Sequence, residues 1–222
     1  MSRSPREILK RYWNYDSFRP MQEEIVQSVL SGKDVLALLP TGGGKSLCFQ
    51  VPALAQEGIC LVVSPLIALM KDQVQHLRSK GITAFSIYSG MTRKEMAATF
   101  RLAINGNCKF LYVSPERLET DLFKEFLPAL NVNLIAVDEA HCISQWGYDF
   151  RPPYLRIAAL RDELPGVPVL ALTASATKEI RDDICLRLKM DRPAIFTRTF
   201  LRPNLSFSAL KTTSMGTSLT GI

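Results

Sequence analysis

A chain of 222 residues with 47% apolar content has ample material for a well-buried core, in one large domain or two small ones. Its net charge of +6 is uneven: residues 1–19 and 187–211 carry the surplus, while the stretch between them holds 16 basic and 18 acidic residues, which excludes a uniformly basic slab. Five cysteines stand singly without a C-x-x-C pair, which argues against a disulfide framework or zinc site and for a reduced, cytoplasmic setting. No secretory signal opens the chain, and the longest near-apolar run, residues 59–70, holds Ser64 and Pro65 and is too short to span a bilayer.

Residues 5–13 read as a short helix with Pro5 in its first turn. Pro20 opens a second, running to about Leu30, with Ile25, Val26, Val29 and Leu30 at helical spacing. Between them Tyr15, Arg19 and Gln22 supply an aromatic face, a guanidinium and an amide able to read an adenine ring. The same three residues also suit a surface aromatic before an ordinary helix N-terminus, and composition leaves both readings open.

The apolar run 35–39 leads into Pro40-Thr41-Gly42-Gly43-Gly44-Lys45-Ser46 and then a helix-compatible stretch. That order is strand, tight turn, helix. Glycines let successive N–H groups converge, and the helix adds its positive end, a nest suited to a polyphosphate. Lys45 would reach the outer phosphates and the Ser46 hydroxyl would hold Mg²⁺. Leu39 stands where the strict P-loop pattern has glycine, so the strand, helix and downstream acids carry the reading.

Beyond this point strand and helix alternate. Strands are predicted at 59–63, 83–88, 109–113, 134–137, 169–172 and 194–197, and helices at 66–79, 93–104, 117–127, 154–163 and 178–188. Continuous apolar strands between helices make a single α/β domain with a mainly parallel central sheet and helices on both faces. Two strand exits, at Ser64-Pro65 and Ser114-Pro115, pair a good N-cap with a good first helical residue; 173–175 and 40–42 also offer hydroxyls. Either these are caps and nothing more, or Ser64 and Ser114 are phosphate seats for a nucleic-acid backbone at the edge where ligands bind.

The strand at 134–137 ends in Asp138-Glu139-Ala140-His141. A carboxylate there suits Mg²⁺, so Asp138 is the predicted metal ligand and Glu139 the group that orients and deprotonates the attacking water. His141 suggests a hydrogen-bonding relay. Trp146, Tyr148, Phe150 and Arg151 follow, with Gly147, Pro152 and Pro153 excluding a regular helix. They form either a stacking platform for unpaired bases or a loop pinned to the core by its rings. Adjacency to the acids favours a loop that couples nucleic acid to nucleotide turnover.

Pro40–Ser46, Ser64-Pro65-Leu66 with Met70-Lys71-Asp72-Gln73, Ser114-Pro115-Glu116-Arg117-Leu118, and Asp138-Glu139-Ala140-His141 running into Gln145-Trp146-Gly147 together resemble the RecQ family of superfamily-two DNA helicases, over roughly residues 7–207. The resemblance implies the first RecA-like lobe (residues 1–207) of an ATP- and Mg²⁺-dependent 3′-to-5′ helicase that couples ATP hydrolysis to DNA unwinding in recombination and repair. It assigns Tyr15, Arg19 and Gln22 to adenine, Thr41, Gly42, Gly43, Gly44, Lys45 and Ser46 to phosphates and Mg²⁺, and Lys45, Asp138, Glu139 and His141 to catalysis. Trp146, Tyr148, Phe150 and Arg151 fall on its DNA-sensing loop, with Tyr148 standing where histidine is usual. Phe200, Arg202, Pro203 and Asn204 match the segment joining the first lobe to the second.

Residues 208–222 read as a disordered tail, with eight Ser or Thr among the last seventeen residues of the chain. The implied partners are single-stranded and forked DNA and a second RecA-like lobe, for a monomer in the bacterial cytoplasm or nucleoid. Without that lobe and its arginine finger, the chain is expected to bind nucleotide and touch single strands without unwinding them. Two rival readings are a DEAH-type RNA helicase lobe and a non-catalytic ATP-sensing adaptor.

Overall fold

The computed structural model describes residues 4–40 and 42–197. Helix α1 (Pro5–Trp13) starts with a capping box, in which Ser4 and Glu7 satisfy each other's backbone N–H groups. After α2 (Gln22–Leu30), β1 (Val35–Leu38) and α3 (Lys45–Ala55), the chain alternates β2 (Ile59–Val63), α4 (Ile67–Ser79), β3 (Ala84–Ile87), α5 (Arg93–Asn105), β4 (Phe110–Val113), α6 (Asp121–Phe126), β5 (Val132–Val137), α7 (Ile157–Glu163), β6 (Val169–Thr173), α8 (Lys178–Arg187) and β7 (Ala194–Thr197). The seven strands form one sheet in the order β3-β4-β2-β5-β6-β1-β7. Every pairing is parallel. All strand exits therefore share one edge, as expected.

Alternation along each strand divides the core into two layers. Leu36, Leu61, Val63, Leu111 and Ile135 face one side with Phe100 of α5 and Ile184 of α8. Val35, Cys60, Val62, Phe110 and Leu170 face the other with Ile25 of α2, Phe49 of α3 and Met70 of α4. Strands covered on both faces need apolar residues at successive positions, which is why β1, β2, β4 and β6 are buried throughout. A smaller cluster of Ile8, Leu9, Val26, Leu47 and Val51 fastens α1 to α2 and α3.

Three predicted helices differ from their observed forms. The second begins at Gln22 rather than Pro20, because Met21 sits at φ 70° and interrupts the helix. The segment 117–127 is broken: a 3₁₀ turn at Pro115–Arg117 gives way to α6, whose start is fixed by the Thr120 hydroxyl accepting from Phe123 N–H, and Leu127–Ala129 turns again around Pro128. The segment 154–163 opens with a 3₁₀ stretch, Pro152–Arg156, set by its two prolines.

At the end of the sheet away from the strand exits, Asp34 ties three strands together. Its carboxylate accepts from both terminal nitrogens of Arg161 at 3.1 and 2.9 Å, from Val169 N–H at 2.9 Å and from Asp191 N–H at 3.3 Å. Its own carbonyl accepts from Ala194 N–H at 2.9 Å. Among the described residues no helix is long and apolar enough to cross a membrane.

Candidate nucleotide site at the strand exits

Strand β1 delivers the glycine turn, and α3 starts directly from it. Gly44 lies at φ +78°, and a Cβ there would sit 2.3 Å from Gln22 Nε2; at Gly43 a Cβ would meet the Pro40 carbonyl at 2.7 Å. Only glycine fits these two positions, and the resulting cradle suits phosphate oxygens rather than side chains. Thr41 lies outside the described residues. Gly42 is exposed, and Lys45 and Ser46 are half-buried at the first turn of α3.

The acids meet this loop. Lys45 Nζ is 3.6 Å from Glu139 Oε1, and Glu139 Oε2 is 3.4 Å from His141 Nδ1. His141 Nδ1 is also 2.9 Å from Thr173 Oγ1 at the exit of β6. Asp138 Oδ1 accepts from Glu139 N–H at 3.0 Å, and Oδ2 accepts from the Ser64 hydroxyl at 3.4 Å. Tyr154, wholly buried, donates to the Asp138 carbonyl at 2.9 Å. Glu139 itself adopts φ 48°, ψ 46°, left-handed backbone that a glutamate rarely takes and that the packing around it must hold. Lys45, Asp138, Glu139 and His141 are thus brought to one place.

Burial, and then the neighbouring Glu139 charge, push the Asp138 carboxyl above the usual range, against the pull of Lys45. A folded pKa above the unfolded one means that ionised Asp138 destabilises the fold at neutral pH. Asp138→Asn, which keeps an acceptor for Glu139 N–H, should therefore raise the melting midpoint by roughly 1–4 °C at pH 7. This gain should shrink as the pH falls toward about 4, where the carboxyl is protonated folded and unfolded alike. Thermal melts of the pair across pH check both statements.

Tyr15, Arg19, Gly42, Gly44, Lys45 and Ser46 line one cavity of about 360 Å³. Arg19 donates to the Gly42 carbonyl at 2.6 Å. Gln22 is buried: its amide nitrogen donates to the Gly44 carbonyl at 3.0 Å and its oxygen accepts from Arg19 N–H at 2.9 Å. Without nucleotide, the predicted adenine reader therefore braces the phosphate loop. Sequence reasoning did not single out Trp13, Gln50, Gln73 and His76, which line the same cavity. The one available signal was Gln50, a lone amide inside the apolar run of α3, where it is buried and donates to Gln73 at 3.1 Å.

Ser64 and Ser114 do not present themselves as phosphate seats. Both are buried, and their N–H groups donate to Val113 and Ile87 carbonyls within the sheet. The Ser64 hydroxyl faces Asp138, and the Ser114 hydroxyl is buried without a partner. A strand exit rich in hydroxyls looks the same in sequence whether those groups face inward or outward.

The aromatic segment leaves directly from the acidic turn. Trp146 and Tyr148 are 76% and 80% exposed, so neither ring is a core anchor, while Phe150 and Arg151 are half-buried. The Tyr148 ring stacks on His141 at 5.1 Å between centroids. The Ser144 hydroxyl accepts from Trp146 N–H and donates to Asp183 of α8 at 2.7 Å. Arg151 N–H returns to the Cys142 carbonyl at 2.8 Å, and its guanidinium holds Asp149 at 3.2 Å. Movement of this loop is therefore transmitted to the ring that touches Glu139.

A parallel sheet carrying a glycine turn, its lysine and paired acids at one edge defines a RecA-like α/β domain of the P-loop type. The chain belongs to the DEAD/DEAH box helicase family, which matches residues 19–183. It is 43% identical over 205 residues to the ATP-dependent DNA helicase RecQ of Pasteurella multocida, covering 92% of this chain and 32% of that protein. It is 45% identical over 206 residues to the ATP-dependent DNA helicase RecQ of Bacillus subtilis, covering 92% and 35%. The resemblance drawn from the motifs is borne out by these relatives, of whose length the chain spans about a third. A hypothetical ATP-dependent RNA helicase from Sulfolobus tokodaii shares the fold, with a TM-score of 0.65 at 20% identity over 87% of this chain and 56% of that one.

Proposed function

We propose that this chain is the ATP-binding lobe of a RecQ-like 3′-to-5′ DNA helicase, with residues 1–207 forming the lobe and 208–222 lying beyond it. The observation that carries the reading is the convergence of Lys45, Glu139 and His141 within 3.6 Å, with the aromatic segment leaving from the same turn. Thr41, Gly42, Gly43, Gly44 and Lys45 would hold the phosphates of ATP, with Tyr15, Arg19 and Gln22 at the base. Ser46 and Asp138 would hold Mg²⁺, and the raised affinity of Asp138 for a proton fits a group awaiting a cation. Bound Mg²⁺ would neutralise developing phosphate charge. Glu139 would orient the attacking water and take its proton, with His141 fixing its carboxylate. Phe200, Arg202, Pro203 and Asn204, the proposed connection to a second lobe, lie outside the described residues.

Trp146 and Tyr148 would stack on unpaired bases, with Phe150 and Arg151 behind them, for a monomer acting in the cytoplasm on single-stranded and forked DNA. Trp146→Ala should weaken binding of a labelled single strand by roughly 5–150-fold, the equivalent of about 1–3 kcal/mol per stacked base. Its affinity for a fluorescent ATP analogue should stay unchanged. Strand affinity indifferent to this change, or RNA outcompeting DNA of the same sequence, would overturn the assignment. ATP turnover by the chain alone at the rate of a complete helicase would overturn its reading as one lobe.

A further inference from the structure

Single spacing of the cysteines spoke against a metal site in sequence, yet the fold brings one of them to two other ligand types. His141, Cys142 and Asp149 place a ring nitrogen, a thiol and a carboxylate oxygen within 4.8 Å of one another. Cys142 Sγ lies 3.8 Å from His141 Nε2 and 3.6 Å from Asp149 Oδ2. A tetrahedral Zn²⁺ with bonds of about 2.3 Å to sulfur and 2.0–2.2 Å to nitrogen or oxygen sets such ligands roughly 3.5 Å apart. The two edges measured from the sulfur are therefore close to those of a zinc tetrahedron.

The imidazole is held ready for this role. The Thr173 hydroxyl donates to the Ser175 carbonyl at 3.2 Å, so toward His141 it acts as an acceptor. Glu139 Oε2, also an acceptor, faces the same nitrogen at 3.4 Å. Both require the proton on Nδ1, which leaves the Nε2 lone pair directed toward the sulfur. Orientation of a ligating histidine through its second nitrogen is the usual support of a zinc site. Arg151 does not block the carboxylate, since its Nε can keep Asp149 Oδ1 at 3.4 Å while Oδ2 turns to a cation.

We propose that His141 Nε2, Cys142 Sγ and Asp149 Oδ2 form a three-ligand site for Zn²⁺ with the fourth position open, distinct from the Mg²⁺ position at Ser46 and Asp138. On binding, the Cys142 S–H bond is replaced by an S–metal bond and the proton passes to solvent. Sulfur and nitrogen ligands select Zn²⁺ over Mg²⁺, so the two ions do not compete for the same place. The bound ion joins the acidic turn to the aromatic loop at Asp149. Its consequence for DNA sensing rests on the function proposed above, whereas its existence does not.

Titration of the 222-residue chain with Co²⁺, followed by absorption, tests the site without any activity assay. The expected result is saturation at about one equivalent with a thiolate-to-cobalt charge-transfer band that Zn²⁺ abolishes and excess Mg²⁺ leaves intact. Cys142→Ser should remove the band. Asp149→Asn, on the partly exposed loop, should weaken binding by roughly 10–100-fold. Cys185→Ser should change neither. Absence of a thiolate band, a band surviving in Cys142→Ser, or one lost in Cys185→Ser would overturn the proposal.

Discussion

Asp34→Ala is expected to lower the unfolding free energy by about 3–5 kcal/mol, because it leaves the half-buried Arg161 without its counter-charge. For a chain of this size that is a fall of roughly 6–20 °C in melting midpoint. The pair is bidentate, and the aspartate side chain is only 6% exposed. Val169 N–H, at the start of β6, loses its acceptor in the same change. Asp34→Asn keeps an oxygen for that N–H and should therefore fall between the parent and the alanine variant. A drop of under about 2 °C for alanine would show that water substitutes for the carboxylate, and that β1, β6 and β7 are held at this end by their ladder bonds instead.

Lys45→Ala should act on binding and spare stability. Lys45 and Glu139 are 3.6 Å apart and both partly exposed, so their mutual attraction contributes little to the fold. A charged hydrogen bond to phosphate is worth about 1.5–3 kcal/mol, so affinity for a fluorescent ATP analogue should fall roughly 10–150-fold. The melting midpoint should move by no more than about 2 °C. Unchanged affinity would remove the phosphate loop from the proposed function. The Asp34 and Lys45 variants separate the two ends of the sheet, one governing whether the domain holds together and the other what it holds.

Much of the fold was legible because a sheet covered on both faces demands long apolar runs. The predicted strands at 59–63 and 194–197 coincide with β2 and β7, and the others differ by a residue or two. Helices were harder where local chemistry interrupts the periodicity, as Thr120 and Pro128 do around α6. The phosphate loop and acidic turn were legible since each is a contiguous stretch. Asp34 was not, because Arg161 stands 127 residues away and no local pattern marks the pair. Nor were Ser144 and Asp183, separated by 39 residues. Ser64 and Ser114 show the opposite failure, in which a clear local pattern carried no information about the direction its groups face.

The position of β7 has a mechanical implication. It pairs with β1 at the sheet margin, with Thr197 opposite Leu38. The chain thus leaves the sheet about 4.8 Å, one strand spacing, from the backbone that runs into the glycine turn. Any pull on the polypeptide beyond Thr197 is applied beside the hinge of that turn, as a hand on a door is felt at its frame. Whatever body follows is coupled to the nucleotide cradle by leverage through the backbone, with no side-chain relay required.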